Sequence, residues 1–190
     1  MKVLKDQESV LQAIRETMQL KPLACIGIDG CMNSGKTTLA DYVAKELPAT
    51  VIHVDEYLNK GESHSHLEAI RMNELAAKLG ESQESIQPII VESICLLKVL
   101  EQLSVSPDLL VYVKRLSSGT WHDEMHMEES DSETFAFVTK VPLLEEDTFL
   151  ENSQKAYHEN FEPLQKADLI YERSEDQSCK EAPETSRGGR

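Results

Sequence analysis

Eight consecutive residues, Gly30-Cys31-Met32-Asn33-Ser34-Gly35-Lys36-Thr37, place glycine, glycine, lysine and threonine at the spacing G-x-x-x-x-G-K-[ST]. The chemistry open to that spacing is the binding of a polyanion. Glycines at both ends allow backbone angles closed to other residues, so successive N–H groups can turn inward and form a concave nest. Asn33, Ser34 and Thr38 belong to the same nest. Lys36 adds a positive charge for terminal phosphates, and the Thr37 hydroxyl is a hard oxygen suited to Mg2+. A working loop of this kind needs a buried strand before it and a helix after it, whose first amides and positive dipole end face the anion. An accidental match in an ordinary glycine turn would have neither.

Both flanking elements can be read from the residue pattern. Leu23 to Ile28 is a short apolar run between Pro22 and Asp29-Gly30, as a buried parallel strand requires. Thr37 to Leu47 repeats Leu39, Val43 and Leu47 every four residues and is closed by Pro48, which predicts a helix. Upstream, Val10, Leu11, Ile14 and Met18 form one face of a helix over Asp6 to Leu20. Downstream, Thr50 to Val54 is a second strand, Leu67 to Leu79 a helix with Gly80 just beyond it, and Pro88 to Val91 a third strand. Ile94 to Leu103 is a helix that stops before Pro107, Leu109 to Val113 a fourth strand, Leu144 to Leu164 a helix and Leu169 to Tyr171 a fifth strand. This alternation predicts an α/β fold, a doubly wound parallel five-stranded sheet with helices on both faces. The polar stretch from Ser117 to Glu133 exceeds the usual connection of about 4 to 6 residues and reads as a lid insertion. From Ser174 onward the chain is polar with Pro183 and Gly188-Gly189. The expected organisation is one domain over 1–173 and a disordered tail over 174–190.

Composition narrows the partners. The chain has 190 residues, 19 Lys and Arg against 34 Asp and Glu, and a formal net charge of −15, which excludes a strongly basic nucleic-acid binder. No apolar run approaches the roughly 20 residues of a membrane helix, and the first residues lack the apolar centre of a secretory signal. The expectation is a cytoplasmic protein with neither nucleic acid nor membrane as a partner. Cys25, Cys31, Cys95 and Cys179 form no C-x-x-C pair, so all four are expected to be reduced. His122-Asp123-Glu124-Met125-His126 lacks the spacing of a zinc helix and reads as a solvated acidic segment. A polyanion bound by so acidic a chain must be held locally, by amide dipoles, Lys36 and a metal ion. A GTPase switch is excluded on its motifs. No D-x-x-G occurs, and Asn59-Lys60-Gly61-Glu62 has Glu where Asp is required.

Further segments accompany the loop. Ile26-Gly27-Ile28-Asp29-Gly30 leads into it and Thr38-Leu39-Ala40 follows it. His53-Val54-Asp55-Glu56-Tyr57 carries D-x-[FY] at the end of the second strand. Ile89-Ile90-Val91-Glu92-Ser93 forms the third, and Tyr157-His158 runs through Pro163 to Ala167-Asp168-Leu169-Ile170. Over roughly residues 23 to 172 the chain resembles the P-loop small-molecule kinases of the uridine kinase and phosphoribulokinase type. The resemblance implies ATP and Mg2+ as cofactors and transfer of the γ-phosphate to a hydroxyl of a small metabolite, a nucleoside first. It implies Lys36, Asp55 and Arg115 as catalytic residues, with Asp55 the base. Asp55, Tyr57 and Glu92 would meet the acceptor, and Thr37 and Glu92 the metal. The residues themselves leave alternatives: Asp55 as a turn cap, Glu92 facing solvent, Tyr57 in the core, Arg115 anchoring the fourth strand. Two departures from the family stand out. Only Glu81 to Gln87 separates Gly80 from Pro88, where a substrate-binding hairpin is usual, and the insertion offers only Lys114 and Arg115 where several lid arginines are usual. They support a second reading, a nucleotide-binding regulatory protein without transfer activity.

Overall fold

A computed structural model describes residues 1–22, 24–59, 66–83, 87–123 and 145–174. In chain order the strands are β1 (Lys2–Leu4), β2 (Cys25–Gly30), β3 (Thr50–His53), β4 (Ile89–Glu92), β5 (Leu109–Ser117), β6 (Thr120–Trp121) and β7 (Leu169–Ser174). Among the described residues the helices are α1 (Gln7–Leu20), α2 (Lys36–Glu46), α3 (His66–Ala69), α4 (Met72–Gln83), α5 (Leu96–Gln102), α6 (Glu145–Phe161) and α7 (Pro163–Lys166), with one 3-10 turn at Val54–Tyr57. The strands form one sheet in the order β1-β7-β5-β2-β4-β3, parallel throughout, and β6 pairs with β5 as an antiparallel hairpin.

Side chains alternate across this sheet, as the pleat dictates. Ile26, Ile28, Ile90, Val111 and Leu169 enter a core shared with Val10, Ile14, Leu39 and Val43 of α1 and α2. Their neighbours Ile89, Val91, Leu110, Tyr112 and Ile170 enter a second core with Leu75 and Leu79 of α4 and Leu96 and Leu100 of α5. The expected doubly wound α/β arrangement is present. β2 is flanked by β4 and β5, so the chain leaves β2 in one direction and later returns to pair on its other side. The carboxyl end of β2 is therefore the switch point at which such sheets bind ligands.

The sheet departs from expectation in its number of strands, seven among the described residues rather than five. β1 is too short to show a period, and β6 is a two-residue arm turned back through Ser118 and Gly119, both at positive φ. β5 continues through Lys114 and Arg115, so both lie in the sheet and not in an insertion. The helix expected over Leu67 to Leu79 is two helices. The segment after β3 interrupts it, with the Asn59 amide donating to Ala69 O at 2.7 Å and the Arg71 amide to Tyr57 O at 2.8 Å. α4 then runs through Gly80, which caps nothing. The helix expected to reach Leu164 breaks at Glu162, whose φ of 48° is left-handed, and restarts at Pro163 as α7. Ser174 belongs to β7; the tail beyond it, and the acidic stretch beyond Asp123 read as a lid, lie outside the described residues. Among the described residues no helix is long and apolar enough to cross a membrane.

Candidate functional site

The glycine loop occupies the turn from β2 into α2. Gly30 has φ +151°, and a Cβ there would stand 2.5 Å from Val113 O, so no other residue fits without displacing β5. Gly35 has φ +101° and lies against the side chain of Arg173. Between them Asn33 is left-handed (φ 57°) and the Ser34 amide donates to Cys31 O at 3.2 Å, closing a tight turn. α2 begins at Lys36, so the amides of Lys36, Thr37 and Thr38 have no carbonyl behind them in the helix. Lys36 is only 7% exposed, and its Nζ donates to Cys31 O at 2.8 Å. Ser34 is fully buried, yet its hydroxyl has no partner among the described residues. The uncommitted amides at the start of α2, a lysine curled over the loop and an orphaned hydroxyl are features that suit a phosphate nest.

Carboxylates face this loop from the ends of β3 and β4. Glu92, nearly buried, accepts a hydrogen bond from Thr37 Oγ1 at 3.1 Å and its Oε1 lies 2.9 Å from His53 Nδ1. His53 also reaches Asp41, 3.3 Å away. Burial opposes a charge on His53, but the Glu92 hydrogen bond and the charges of Glu92, Asp41 and Glu56 outweigh it and raise the pKa. Asp55 stands exposed in the 3-10 turn after β3. Lys36, Thr37, Asp55, His66, Glu92 and Arg173 all line one cavity of about 480 Å³. His66 is buried, with Nε2 3.5 Å from Ser93 Oγ; burial, together with the charge of Lys36, lowers its pKa against the opposing pull of Asp55. A larger hollow, about 840 Å³ between α5 and α6, contains neither the loop nor these acids, so the chemistry singles out the smaller one.

A buried polar network ties the loop to α6. Asp29, wholly buried at the end of β2, accepts from the Gly30 amide at 2.7 Å and from the Tyr157 hydroxyl. Burial pushes its carboxyl up to about 6, against the lowering effects of Tyr157, Gly30 and Lys36. Tyr157 Oη also accepts from the Leu97 amide at 3.1 Å. The Met32 amide, within the loop itself, donates to Gln154 Oε1 at 3.0 Å. Tyr112 Oη lies 3.5 Å from Cys31 Sγ and 2.7 Å from His158 Nε2. Burial, with Asp123 nearby, pushes the Cys31 thiol up to about 12, so it stays protonated at neutral pH. Cys25, Cys31 and Cys95 are all buried and free.

Of the residues expected from the sequence, Gly35, Lys36, Thr37, Thr38, Asn33, Asp55 and Glu92 meet around the cavity, with Gly30 and Ser34 forming the base of the loop. Tyr57 does not line it. Its ring packs half-buried on the α4 side of the core, while its carbonyl receives the Arg71 amide. Arg115 does not line it either, because the β5–β6 hairpin brings Asp123 to within 3.5 Å of its guanidinium. Arg173, His66 and Gln154 reach the loop or cavity without any mark in the linear pattern. The acidic cluster beginning at His122 lies outside the described residues from Glu124 onward.

No protein-family model matches the chain, and no curated protein sequence does. Among solved structures it is similar to a possible uridine kinase from Bacillus stearothermophilus, with a TM-score of 0.51 at 16% identity, covering 86% of this chain and 98% of that one. The chain shares the α/β P-loop fold of that structure. Weaker likenesses are a sugar kinase from a Janibacter species (TM-score 0.40, 15% identity, 72% and 98% covered) and a shikimate kinase from Bacteroides thetaiotaomicron (TM-score 0.37, 16% identity, 79% and 86% covered). At such identities a likeness speaks for architecture alone.

Proposed function

We propose that this protein is an ATP-dependent phosphotransferase that moves the γ-phosphate to a hydroxyl of a small metabolite, with a nucleoside as the leading acceptor. The observation that carries this reading is the single cavity in which Lys36 and Thr37 of the loop face Asp55 and Glu92. When bound, ATP supplies the transferable phosphoryl group, and Mg2+ neutralises charge as that group moves. The residues present fit both. The amides of the loop and of the first turn of α2 hold phosphate oxygens, Lys36 exchanges its bond to Cys31 O for one to phosphate, and Thr37 with Glu92 provides the hard oxygens a magnesium ion prefers. Asp55 orients the acceptor hydroxyl and takes its proton as the new oxygen–phosphorus bond forms and the old one breaks. His66 lines the same cavity, with Nε2 3.5 Å from Ser93 Oγ.

The test is ADP release across a panel of nucleosides and sugar alcohols, with Asp55→Asn alongside. The expected result is acceptor-dependent release that falls about 10²- to 10⁴-fold in the variant while ATP affinity is kept. One observation favours a second reading, nucleotide binding without transfer: Arg115 is engaged by Asp123 and brings no charge to the cavity. ATP affinity with no turnover on any acceptor would establish that reading instead.

A further inference from the structure

Arg15, Arg71, Arg115 and Arg173 are the arginines among the described residues, and three of them are met by carboxylates. Arg15 pairs with Glu46, Arg71 with Glu74 and Arg115 with Asp123. Arg173 forms no ion pair among the described residues, in a chain whose net charge is −15. Its partners are parts of the glycine loop. Nη1 donates to Ser34 O at 3.3 Å, and a Cβ on Gly35 would stand 2.9 Å from that nitrogen. The side chain lines the cavity beside Lys36, Thr37 and Thr38.

Register sharpens the point. β5 and β7 pair in parallel with Arg115 opposite Arg173, so two guanidinium side chains start from adjacent positions. One row earlier the opposed residues are Lys114 and Glu172, 4.0 Å apart, an arrangement that balances charge. In the arginine row only Arg115 has its counter-charge. Like charges directly opposite one another are destabilising unless something negative sits between or beside them. Here the open side faces a nest already shaped for phosphate, with the buried Ser34 hydroxyl orphaned beneath it.

Resting on the reading of the loop as a nucleotide site, we propose that Arg173 binds the polyphosphate of the nucleotide directly. A planar guanidinium suits this, since it can offer two parallel N–H groups to phosphate oxygens. It supplies from the end of β7 the cation that Arg115 does not bring to the cavity.

The experiment is calorimetric titration of the full chain with ATP·Mg2+ and, separately, with inorganic tripolyphosphate and Mg2+. Wild type is compared with Arg173→Ala and Arg173→Gln. Glutamine can still donate to Ser34 O but carries no charge. Both variants are expected to bind both ligands about tenfold to a hundredfold more weakly, the loss of one charge-assisted contact. Their affinities should also fall less steeply with added salt than that of wild type. A glutamine variant that binds like wild type would show that only the hydrogen bond to the loop matters, and would overturn the proposal. So would a loss seen with ATP and absent with tripolyphosphate, which would put the guanidinium on the base or ribose. If wild type binds neither ligand, the nucleotide-site reading itself fails, a result distinct from either of these. Circular dichroism and thermal midpoints of the variants confirm that folded proteins are being compared.

Discussion

Replacing Tyr157 by Phe removes one oxygen and two hydrogen bonds. The ring, stacked on Phe161, can stay where it is, so no large cavity opens. What is lost is the donor to buried Asp29 and the acceptor for the Leu97 amide. Asp29 keeps the Gly30 amide but loses its hydroxyl donor, and the Leu97 amide loses its acceptor; at about 1–3 kcal/mol for each the variant should lose about 2–6 kcal/mol of stability, against a total of about 5–15 for a domain. The loss should also depend on pH. Burial raises Asp29 from 3.8 to about 6, so the folded state holds a proton that the unfolded state has released over that interval. Stability therefore falls as pH rises through it. Tyr157 restrains this rise by bonding the carboxylate, and without it the folded pKa climbs further and the interval extends upward. The penalty should accordingly be larger by about 1 kcal/mol or more at about pH 8 than at about pH 5.5. Urea unfolding followed by Trp121 fluorescence measures both values. That indole is the only one in the chain and lies 6.4 Å from the His158 ring on α6, so it senses whether the helix stays docked. A loss under about 1 kcal/mol, or the same loss at both pH values, would refute the reasoning.

Three further substitutions test other parts of the site and fold. Lys36→Ala should weaken ATP binding by roughly a hundredfold in calorimetry while leaving the urea midpoint little changed, because the charge it removes serves the ligand more than the fold. Gly30→Ala places a methyl group 2.5 Å from Val113 O at a φ of +151°, and its thermal midpoint should fall by an amount equivalent to about 3 kcal/mol or more. Gly80→Ala, in open space within α4, should do the opposite and raise stability by up to about 1 kcal/mol; an unchanged or lower midpoint would count against the continuous helix described here.

The parts of the site that were legible in the sequence are those whose geometry is local. The loop, Thr37 and the strand-end acids Asp55 and Glu92 follow from residue spacing along one strand–turn–helix unit and the ends of the next strands. Arg173 was not legible, because its approach to Ser34 depends on the β5–β7 register and on β7 running past Tyr171. Arg115 looked like the available cation because the sequence hides the hairpin that delivers Asp123 to it, although Ser118-Gly119 is an ordinary turn signal that could have revealed it. Gln154 and Tyr157 sit on a helix whose existence the periodicity showed but whose docking it did not. The broken helix at Ile70 has a similar cause. Its apolar stripe is continuous in sequence, but backbone pairing between Leu58 and Ile70 claims the residues in the middle.

The sheet order has a consequence for how the chain comes into being. A ribosome releases β1, β2 and the glycine loop early, yet Lys2 finds its neighbour only at Leu169, and Gly30 lies beside Val113. Until α6 emerges the loop is without the tyrosine that steadies Asp29, and until β7 emerges β1 has nothing to join and Gly35 lacks the guanidinium that covers it. The nascent polypeptide thus carries bare strand edges through most of its synthesis, the condition in which wrong pairings and chaperone capture compete with productive assembly. The candidate site is completed at one late moment, when the strand from Leu169 to Ser174 slides in between two partners already made.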